Sequence, residues 1–348
     1  MIIREGLTFD DVLLVPQHSD IGSRSRDVDV SVKWGCLHFA NPIIPANMKT
    51  VIGEEMAIKI VKGGGLAILH RFMEEKEQLR IANFIVDNHG NENFAVSIGV
   101  KPADRELVGQ FRDAGIRIVC IDVAHGDSKM CIEMTNWIKT TYPDMFVIAG
   151  NVATGEGARR LWEAGADVVK VGVGPGSLCT TRIETGNGVP QFTALADVAE
   201  VQRQLNELER TKHYPGEKRR HFRFISDGGI KSAGDIVKAL CFADMVMIGN
   251  LFAGCEEAPG RRVEIDKVTY KEYVGSSTHK TNHIEGVAAL VPYKGTFQNI
   301  MTGLIEGLQS GCSYQGAHNL DELKDNPVFI KITSAGLRES HPHDVVIK

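Results

Sequence analysis

The sequence predicts an α/β fold, namely a (β/α)8 TIM barrel with a flap, or hairpin excursion, after strand eight. The first observation is that short apolar runs rich in β-branched residues recur along almost all of the 348 residues. Their hydrophobicity is nearly continuous rather than alternating, as strands of a parallel sheet covered on both faces require. The second observation is that a polar or glycine-containing turn and a helical pattern follow each run. Eight such alternations favour a closed barrel over an open doubly wound sheet.

The elements follow one another in a regular order along the chain. The expected strands are residues 41–46, 65–70, 94–100, 116–124, 145–153, 166–173, 222–229 and 243–250. The expected amphipathic helices are residues 54–62, 74–87, 103–114, 129–140, 155–164, 195–208 and 232–241, with a last helix over 296–309 that closes the barrel.

Residues 255–295, after the eighth strand, interrupt this alternation. They are polar, glycine-rich and short of periodicity, apart from possible hairpin strands near 262–265 and 268–274. A long excursion from the catalytic face of a barrel is usually a lid or flap, and we expect this one to add nothing to the core. With this flap region included, residues 1–348 are expected to form a single barrel domain.

Charge and cysteine content argue against several classes of protein. The formal net charge of -5 is mild and spread out, which disfavours nucleic acid or an anionic membrane as the main partner. The one basic cluster, residues 212–223, lacks interleaved stacking aromatics and is interpreted as a solvated loop. Seven cysteines without CxxC spacing indicate a reducing compartment and argue against disulfides or a zinc site. With no apolar run of eighteen residues and no signal-peptide pattern, we expect a cytoplasmic protein with no membrane partner.

Polar residues and glycines follow nearly every expected strand at its C-terminal end. This is where a TIM barrel assembles its active site from the loops that follow the strands. The pattern therefore predicts one site at this end of the barrel. Its candidate residues are Asn47, Met48, His70, Arg71, Asp122, His125, Gly126, Gly150, Asn151, Cys179, Ser226, Asp227, Gly228, Gly229, Gly249 and Asn250.

The loop after the sixth strand is the most informative of these segments. It contains Cys179 among hydroxyl residues, in the sequence GPGSLCTTR. Glycines let the backbone adopt positive φ and approach a ligand, and nearby N–H dipoles and cations increase the thiolate character of a cysteine. Cys179 is therefore a candidate nucleophile, the alternative being a packed cysteine beside a turn. The loop glycines are Gly174, Gly176, Gly186 and Gly188.

The loops after strands seven and eight predict a phosphate site. Backbone N–H groups near short helix starts bind anions, and barrels often hold phosphate in these two loops. Asp227 would suit a ribose diol, because a carboxylate accepts from two vicinal hydroxyls. The alternative is a strand-to-helix turn that simply needs glycine. The expected ligand is a nucleoside monophosphate whose base lies near Cys179.

The sequence closely resembles the IMP dehydrogenase / GMP reductase family over nearly its whole length. The motif around the loop cysteine is the most specific element of this likeness. The matching segments are LTFDDVLLVP (7–16), NPIIPANM (41–48), IDVAHG (121–126), residues 149–182, ISDGGIKSAGDI (225–236), residues 245–260 and VPYKG (291–295).

The resemblance implies a covalent mechanism in which Cys179 attacks purine C2 and forms a thioimidate. The family's dehydrogenases then pass hydride to NAD and hydrolyse the intermediate to XMP. Its reductases expel ammonia from GMP and take hydride from NADPH to form IMP. In the dehydrogenases a flap arginine activates the hydrolytic water, and residues 273–295 here contain no arginine. General-base help is worth about two to four powers of ten, so the resemblance favours the reductase.

The reductases use a threonine–glutamate pair to protonate and position the departing amine. By spacing, the pair here is Thr181 and Glu285, which the dehydrogenases also possess. Only residues 87–93 stand where family dehydrogenases usually insert regulatory domains, so we expect none. Two alternatives remain, namely an IMP dehydrogenase without regulatory domains and a relative that binds a purine nucleotide without turnover.

The resemblance also assigns binding residues. The substrate, GMP or IMP, would contact Met48, Ser177, Asp227, Gly228, Gly229, Gly249, Asn250, Tyr273 and Ser277. The dinucleotide side would be formed by Asp122, His125 and Gly126. Potassium would lie on Gly174, Gly176 and Cys179, with Glu339, Ser340 and His341 supplied by the adjacent subunit of a homotetramer.

Some residues depart from the reductase pattern. Lys49 replaces an aspartate usually found after Met48, and the flap is shorter than in most reductases. The tail ITSAGLRESHPHDV is typical of bacterial dehydrogenases. The segments PANMKTV, LHRF and YKEYVGSS nevertheless resemble one bacterial subgroup of reductases.

Overall fold

Strands and helices alternate along the described residues, which are 2–211, 220–275 and 287–345 of the computed structural model. The strands before the barrel are β1 (Val12–Leu14), β2 (Val32–Trp34) and β3 (Leu37–Phe39). The barrel strands are β4 (Ile43–Pro45), β5 (Ala67–Leu69), β6 (Phe94–Ile98), β7 (Ile118–Asp122), β8 (Phe146–Val152), β9 (Val168–Val171), β10 (Phe224–Asp227) and β11 (Met245–Ile248). The later strands are β12 (Arg262–Ile265), β13 (Val268–Val274), β14 (Ala288–Pro292) and β15 (Phe329–Lys331).

The helices cover the outside of the barrel or lie in its loops. They are α1 (Arg24–Asp27), α2 (Glu54–Lys62), α3 (Glu75–His89), α4 (Pro102–Asp113), α5 (Lys129–Thr141), α6 (Gly155–Glu163), α7 (Thr181–Thr185), α8 (Gln191–Thr211), α9 (Ala233–Leu240), α10 (Asn250–Ala253), α11 (Phe297–Tyr314), α12 (Leu320–Leu323) and α13 (Ser334–Glu339).

The eight strands β4 to β11 form one parallel sheet that is nearly closed. They are hydrogen-bonded in the order β4-β11-β10-β9-β8-β7-β6-β5. The strands at the two ends of this order, β4 and β5, also contact each other. The predicted (β/α)8 fold is confirmed, and each barrel strand lies within the apolar run that predicts it.

Burial on both faces explains why these strands are almost continuously apolar. Every residue of β6, β9 and β11 is buried, whichever face of the sheet it points toward. Helices cover the outer face, and opposite strands of the barrel cover the inner one. Two of these strands also contain a buried polar residue, which is Ser97 in β6 and Lys170 in β9.

Short polar residues start the helices that follow three of the strands. Ser128, Thr154 and Ser232 each accept a hydrogen bond from the backbone N–H three residues later. This satisfies an N–H group that the first helical turn leaves without a partner. These caps therefore determine where the chain turns from a strand end into a helix.

Helix α11 continues beyond residue 309, where the sequence analysis expected it to end. Two of its three glycines, Gly307 and Gly311, weaken the helical signal near the expected end of the helix. In the fold they allow helix α9 to approach closely, because an added Cβ would lie 2.4 Å from Ala233 and 2.3 Å from Val237. A tertiary contact therefore explains two glycines that, from the local sequence alone, indicate the end of a helix.

A hairpin of β2 and β3 packs at the N-terminal end of the barrel, and the sequence analysis did not predict it. Trp34 stacks on Phe146, the first residue of β8, with ring centroids 5.8 Å apart. Trp34 also contacts Phe39 edge-on at 5.2 Å. Both hairpin aromatics are buried, so this segment closes the end of the barrel opposite the strand-end loops.

The expectation that the flap region adds nothing to the core is wrong. Strands β12, β13 and β14 form an antiparallel sheet, and Cys255, Ala258, Tyr273 and Val291 are buried. The buried Lys271 ammonium donates to the backbone carbonyl of Ala258. The polar composition of this region does not indicate that it is packed. Polar groups can be buried here because backbone groups form hydrogen bonds with them.

At the described end of the basic cluster, Arg220 and His221 are exposed, as a solvated loop requires, while Phe222 is buried. The Arg220 guanidinium lies 4.4 Å from the ring centroid of Trp162 and donates to the Trp162 carbonyl at 2.6 Å. Phe222 belongs to the core. In the described ranges, no helix combines the length and apolarity needed to cross a membrane.

Candidate active site

Residues from the C-terminal ends of the strands line a cavity of about 210 Å³. Its wall includes side chains that follow β4, β5, β7, β8, β9 and β10, and Tyr273 from β13. The predicted site residues among them are Asn47, Met48, Arg71, Asp122, Asn151, Gly174, Gly176, Cys179, Thr181, Asp227, Gly228 and Tyr273. The fold therefore brings the strand-end residues together as the barrel geometry predicts.

Cys179 lies on the rim of this cavity in a loop that Arg182 holds in place. The Cys179 thiol donates to Thr181 Oγ1 at 3.2 Å, and the Cys179 N–H donates to the Gly176 carbonyl at 3.0 Å. Arg182 Nε donates to the Val173 carbonyl at 3.3 Å. Gly174 has φ +86°, and an added Cβ would lie 2.5 Å from the Arg182 side chain. Glycine is thus required here by packing as well as by conformation.

The other cysteines are unsuited to nucleophilic chemistry in this cavity. Burial raises the pKa of Cys131, Cys241, Cys255 and Cys312 to about 12, and it also raises the pKa of Cys120. These groups remain thiols at neutral pH. Cys36 is exposed, in the turn between β2 and β3. Cys179 is the half-buried cysteine that lines the cavity.

A buried lysine joins two carboxylates behind the cysteine loop. Lys170 Nζ lies 2.7 Å from Asp227 Oδ2 and 3.1 Å from Asp122 Oδ1. Asn151 Nδ2 donates to the same Asp227 oxygen at 2.8 Å. Burial acts to raise the pKa of Asp122, but Lys170 and Arg71 outweigh it and the pKa is lowered. Asp122 is therefore an ionised acceptor at neutral pH.

The flap region contributes Tyr273 and a contact to the cysteine loop. Tyr273 Oη lies 3.6 Å from Met48 Sδ, and a Cβ added at Gly249 would lie 2.3 Å from that oxygen. The Val287 N–H donates to the carbonyl of Leu178, the residue before Cys179. The flap region thus contacts the cavity wall at Met48 and again at the cysteine loop.

The expected phosphate-binding residues lie beside the cavity at the ends of β10 and β11. Gly228 and Gly229 have φ of +89° and +81°, conformations that favour glycine. A Cβ added at Gly228 would lie 3.2 Å from the Gly176 nitrogen, so this loop contacts the cysteine loop. Ser177 is exposed, and Asn250 begins the short helix α10.

Other predicted residues lie away from the cavity or outside the described ranges. His125 is exposed, and Gly126 is buried where an added Cβ would lie 2.9 Å from the Gly150 carbonyl carbon. The tail residues are exposed in this chain and do not line the cavity; they are Glu339, Ser340 and His341. Ser277 and Glu285 lie outside the described residues.

Lys170, Asn151 and Arg71 all line the cavity. The sequence analysis includes Asn151 and Arg71 among the strand-end candidates but gives them no further role. It treats Lys170 only as part of an apolar strand. The sequence did contain one indication, namely a single charged residue in a strand that is buried on both faces. A buried charge requires a partner of opposite charge.

His70 is expected to make stability depend on pH. It is buried beside the cavity, and its Nδ1 accepts from the Phe72 N–H at 3.0 Å. Burial, helped by Lys49, lowers its pKa from 6.5 to about 4. The unfolded chain therefore binds more protons at His70 between these values, so its contribution to stability is complete above pH 6.5 and is lost as the pH falls toward 4.

The expected loss from His70 is about 2 kcal/mol in the free energy of unfolding between about pH 7 and about pH 5. Urea denaturation at both values measures it. In His70→Asn the amide oxygen keeps an acceptor for the Phe72 N–H but does not titrate. An equal pH slope in wild type and His70→Asn would contradict the assignment.

The family model for the IMP dehydrogenase / GMP reductase domain matches residues 6–343. The chain belongs to this family. A GMP reductase of Streptococcus pyogenes serotype M28 (strain MGAS6180) is 40% identical over 324 residues, covering 91% of this chain and 92% of that relative. A GMP reductase of Lactobacillus delbrueckii subsp. bulgaricus (strain ATCC BAA-365 / Lb-18) is 39% identical over 330 residues, covering 92% and 93%. These matches confirm the family that the sequence motifs indicate.

Proposed function

We propose that the protein is an oxidoreductase, specifically a GMP reductase that converts GMP and NADPH into IMP, ammonia and NADP. The observation that carries the proposal is the Cys179 thiol, hydrogen-bonded to Thr181 on the rim of the strand-end cavity. This pair combines a nucleophile with a hydroxyl that can transfer a proton nearby. The relatives named GMP reductase support the reductase over the dehydrogenase.

In the proposed reaction, the Cys179 thiolate adds to C2 of the guanine ring. The C2 amino group gains a proton and leaves as ammonia, so that the purine is held as a thioimidate on Cys179. NADPH supplies the hydride that C2 then accepts. The C2–sulfur bond breaks, the electron pair returns to sulfur, and IMP is released.

Thr181 and Glu285 would deliver the proton to the departing amine. The Thr181 hydroxyl is 3.2 Å from the nucleophilic sulfur and therefore lies beside the position of C2. Glu285 lies outside the described residues, but Val287, two residues later in the sequence, is hydrogen-bonded to Leu178. The chain thus reaches the cysteine loop soon after Glu285.

The nucleotide would bind with its ribose on Asp227 and its phosphate on the adjoining loops. Asp227 is accessible from the cavity, and the glycine loop after it contacts the cysteine loop. Met48, Tyr273 and Ser277 would lie toward the base. The phosphate would be held by Ser177, Gly228, Gly229, Gly249 and Asn250.

The part of the cavity near Asp122 suits a dinucleotide. Asp122 is ionised and can accept from ribose hydroxyls, and Asn151 Oδ1 is a buried acceptor without a hydrogen bond among the described residues. Arg71, at 4.6 Å from the ring centroid of Phe72, adds a cation on the same wall. These groups fit NADPH, with His125 and Gly126 at the edge of its site.

Potassium would be held by carbonyl oxygens of Gly174, Gly176 and Cys179, a donor set that suits a hard monovalent cation. The remaining oxygens would come from Glu339, Ser340 and His341 of the neighbouring subunit. Their exposure in the single chain is consistent with such a contact. This arrangement requires a neighbouring subunit; we propose a homotetramer, which light scattering in solution tests. The cytoplasmic location stays a prediction of the sequence.

Absorbance at 340 nm with potassium present tests the activity. A fall with GMP and NADPH, accompanied by IMP and ammonia, supports the reductase. A rise with IMP and NAD, accompanied by XMP, identifies the dehydrogenase instead and means that another group activates water. If folded protein binds GMP but neither mixture reacts, the protein has a binding role or a different purine substrate.

Removing the Thr181 hydroxyl is expected to slow ammonia departure more than hydride transfer. In Thr181→Ala or Glu285→Gln, release of ammonia from GMP should fall by about 100-fold or more, since general acid–base help is lost. Hydride transfer between IMP and NADP should fall much less. Thr181→Ser keeps a hydroxyl and serves as the control. Equal losses in both partial reactions would remove this pair from ammonia departure.

A further inference from the structure

A buried ammonium group connects the two halves of the candidate site. The Lys170 side chain is 3% exposed, and its nitrogen lies within 3.1 Å of a carboxylate oxygen on each of two strands. Asp227 ends β10, on the side proposed for the nucleotide. Asp122 ends β7, on the side proposed for the dinucleotide. Lys170 itself lies on β9, which leads into the cysteine loop.

The charges around Lys170 balance only while its ammonium group is present. Burial acts to lower the pKa of Lys170, but Asp227 and Asp122 outweigh it, so the pKa is raised and the group stays charged. Arg71 also faces Asp122, through a hydrogen bond from its Nε to the Asp122 carbonyl at 3.0 Å. Nearby Cys120 and Tyr273 both have raised pKa values and remain neutral. Without Lys170, two carboxylates would repel each other in a partly buried space.

The hydrogen bonds also orient Asp227. Its Oδ2 accepts from both Lys170 and Asn151, so a ribose hydroxyl would donate to Oδ1. The same Lys170 nitrogen holds Asp122 Oδ1. A single cation therefore contacts and orients both carboxylates.

We propose that Lys170 is a positioning residue that couples the nucleotide and dinucleotide sites by holding the carboxylates of Asp227 and Asp122 oriented together. The proposal rests on the proposed function, because that function assigns one ligand to each carboxylate. Lys170 acts through the two carboxylates and has no role in bond making. Its removal should therefore alter ligand affinity and the pH dependence of affinity.

The experiment compares GMP binding by calorimetry in wild type, Lys170→Met and the double variant Lys170→Met with Asp122→Asn. In Lys170→Met the dissociation constant for GMP should rise at least about tenfold near pH 8. The defect relative to wild type should shrink as the pH is lowered, because a proton taken up between the two carboxylates relieves their repulsion. The double variant removes the repulsion and should bind GMP within about threefold of wild type. Its KM for NADPH should exceed that of wild type, because Asp122 is proposed to contact the dinucleotide.

The outcomes separate this proposal from the proposed function. Wild-type turnover of GMP and NADPH decides the function alone. Unchanged GMP affinity in Lys170→Met, or a defect that Asp122→Asn does not relieve, overturns the role of Lys170. If Lys170→Met does not fold, the charge-balanced double variant still tests the proposal. GMP affinity within about threefold of wild type supports the role of Lys170, and weaker binding overturns it. Circular dichroism identifies the folded variants.

Discussion

Cys179→Ala is expected to abolish GMP turnover and the covalent adduct together. The Cys179 thiol lines the cavity, whereas burial raises the pKa of each buried cysteine so far that it stays protonated. No other described group in the cavity can replace a thiolate at C2. Loss of a catalytic nucleophile typically costs several powers of ten in kcat, so we expect a decrease of at least about 10⁴-fold.

Steady-state kinetics measures GMP turnover, and intact-protein mass spectrometry of acid-quenched mixtures measures the covalent adduct. Wild type should show a mass increase from the bound purine, and Cys179→Ala should show none. Cys36→Ala, at the opposite end of the barrel, is the matched control and should keep both turnover and adduct. Affinity of Cys179→Ala for GMP should remain within about threefold of wild type, because the ribose and phosphate contacts are unchanged. Adduct formation in Cys179→Ala would show that the nucleophile is another residue.

Gly172→Ala is expected to have the largest effect on stability of the substitutions proposed for this chain. Gly172 has φ +153°, and an added Cβ would lie 2.0 Å from the backbone oxygen of Asp227. That oxygen belongs to the neighbouring strand and cannot move like the end of a flexible side chain. Backbone strain and overpacking together should lower the free energy of unfolding by about 3 kcal/mol or more. Any folded variant should also bind GMP more weakly, because Asp227 is displaced.

Urea denaturation measures the change in stability. Gly303→Ala is the control, since Gly303 lies inside helix α11 and an added Cβ meets nothing within 4 Å. That substitution should stabilise the protein by about 0.5 to 1 kcal/mol, as expected for alanine in place of a helical glycine. A Gly172→Ala variant as stable as wild type would show that the β9 end can move away from Asp227.

Most of the barrel was predictable because its signals are local. A parallel strand covered on both faces needs a short run of apolar residues, and each of the eight runs contains a barrel strand. Helix starts are local as well, as the caps Ser128, Thr154 and Ser232 show. The packing of β13 against the barrel was not predictable in this way. Its buried residues, Lys271 and Tyr273, alternate with half-buried ones in a polar segment, which gives a weak pattern.

The candidate site shows the same division. Cys179 and Asp227 were predictable because glycine-rich loops at strand ends have a recognisable composition. Gly172 gives no such signal, because its need for glycine comes from the backbone oxygen of Asp227 on the neighbouring strand β10. The sequence analysis assigns Gly126 to the cofactor site. In the structure, close contact with the backbone of Gly150 explains its buried position.

From its own residues, the sequence determined the closed barrel, the end of the barrel that carries the site and the candidate nucleophile, because periodicity and turn composition are properties of neighbouring residues. Only the tertiary structure decided how the charges are arranged. Lys170 meets Asp122 and Asp227 across 48 and 57 residues of chain. Separations of that length leave no periodic trace in a sequence, and the partners of a buried charge are set by which strands the barrel brings side by side.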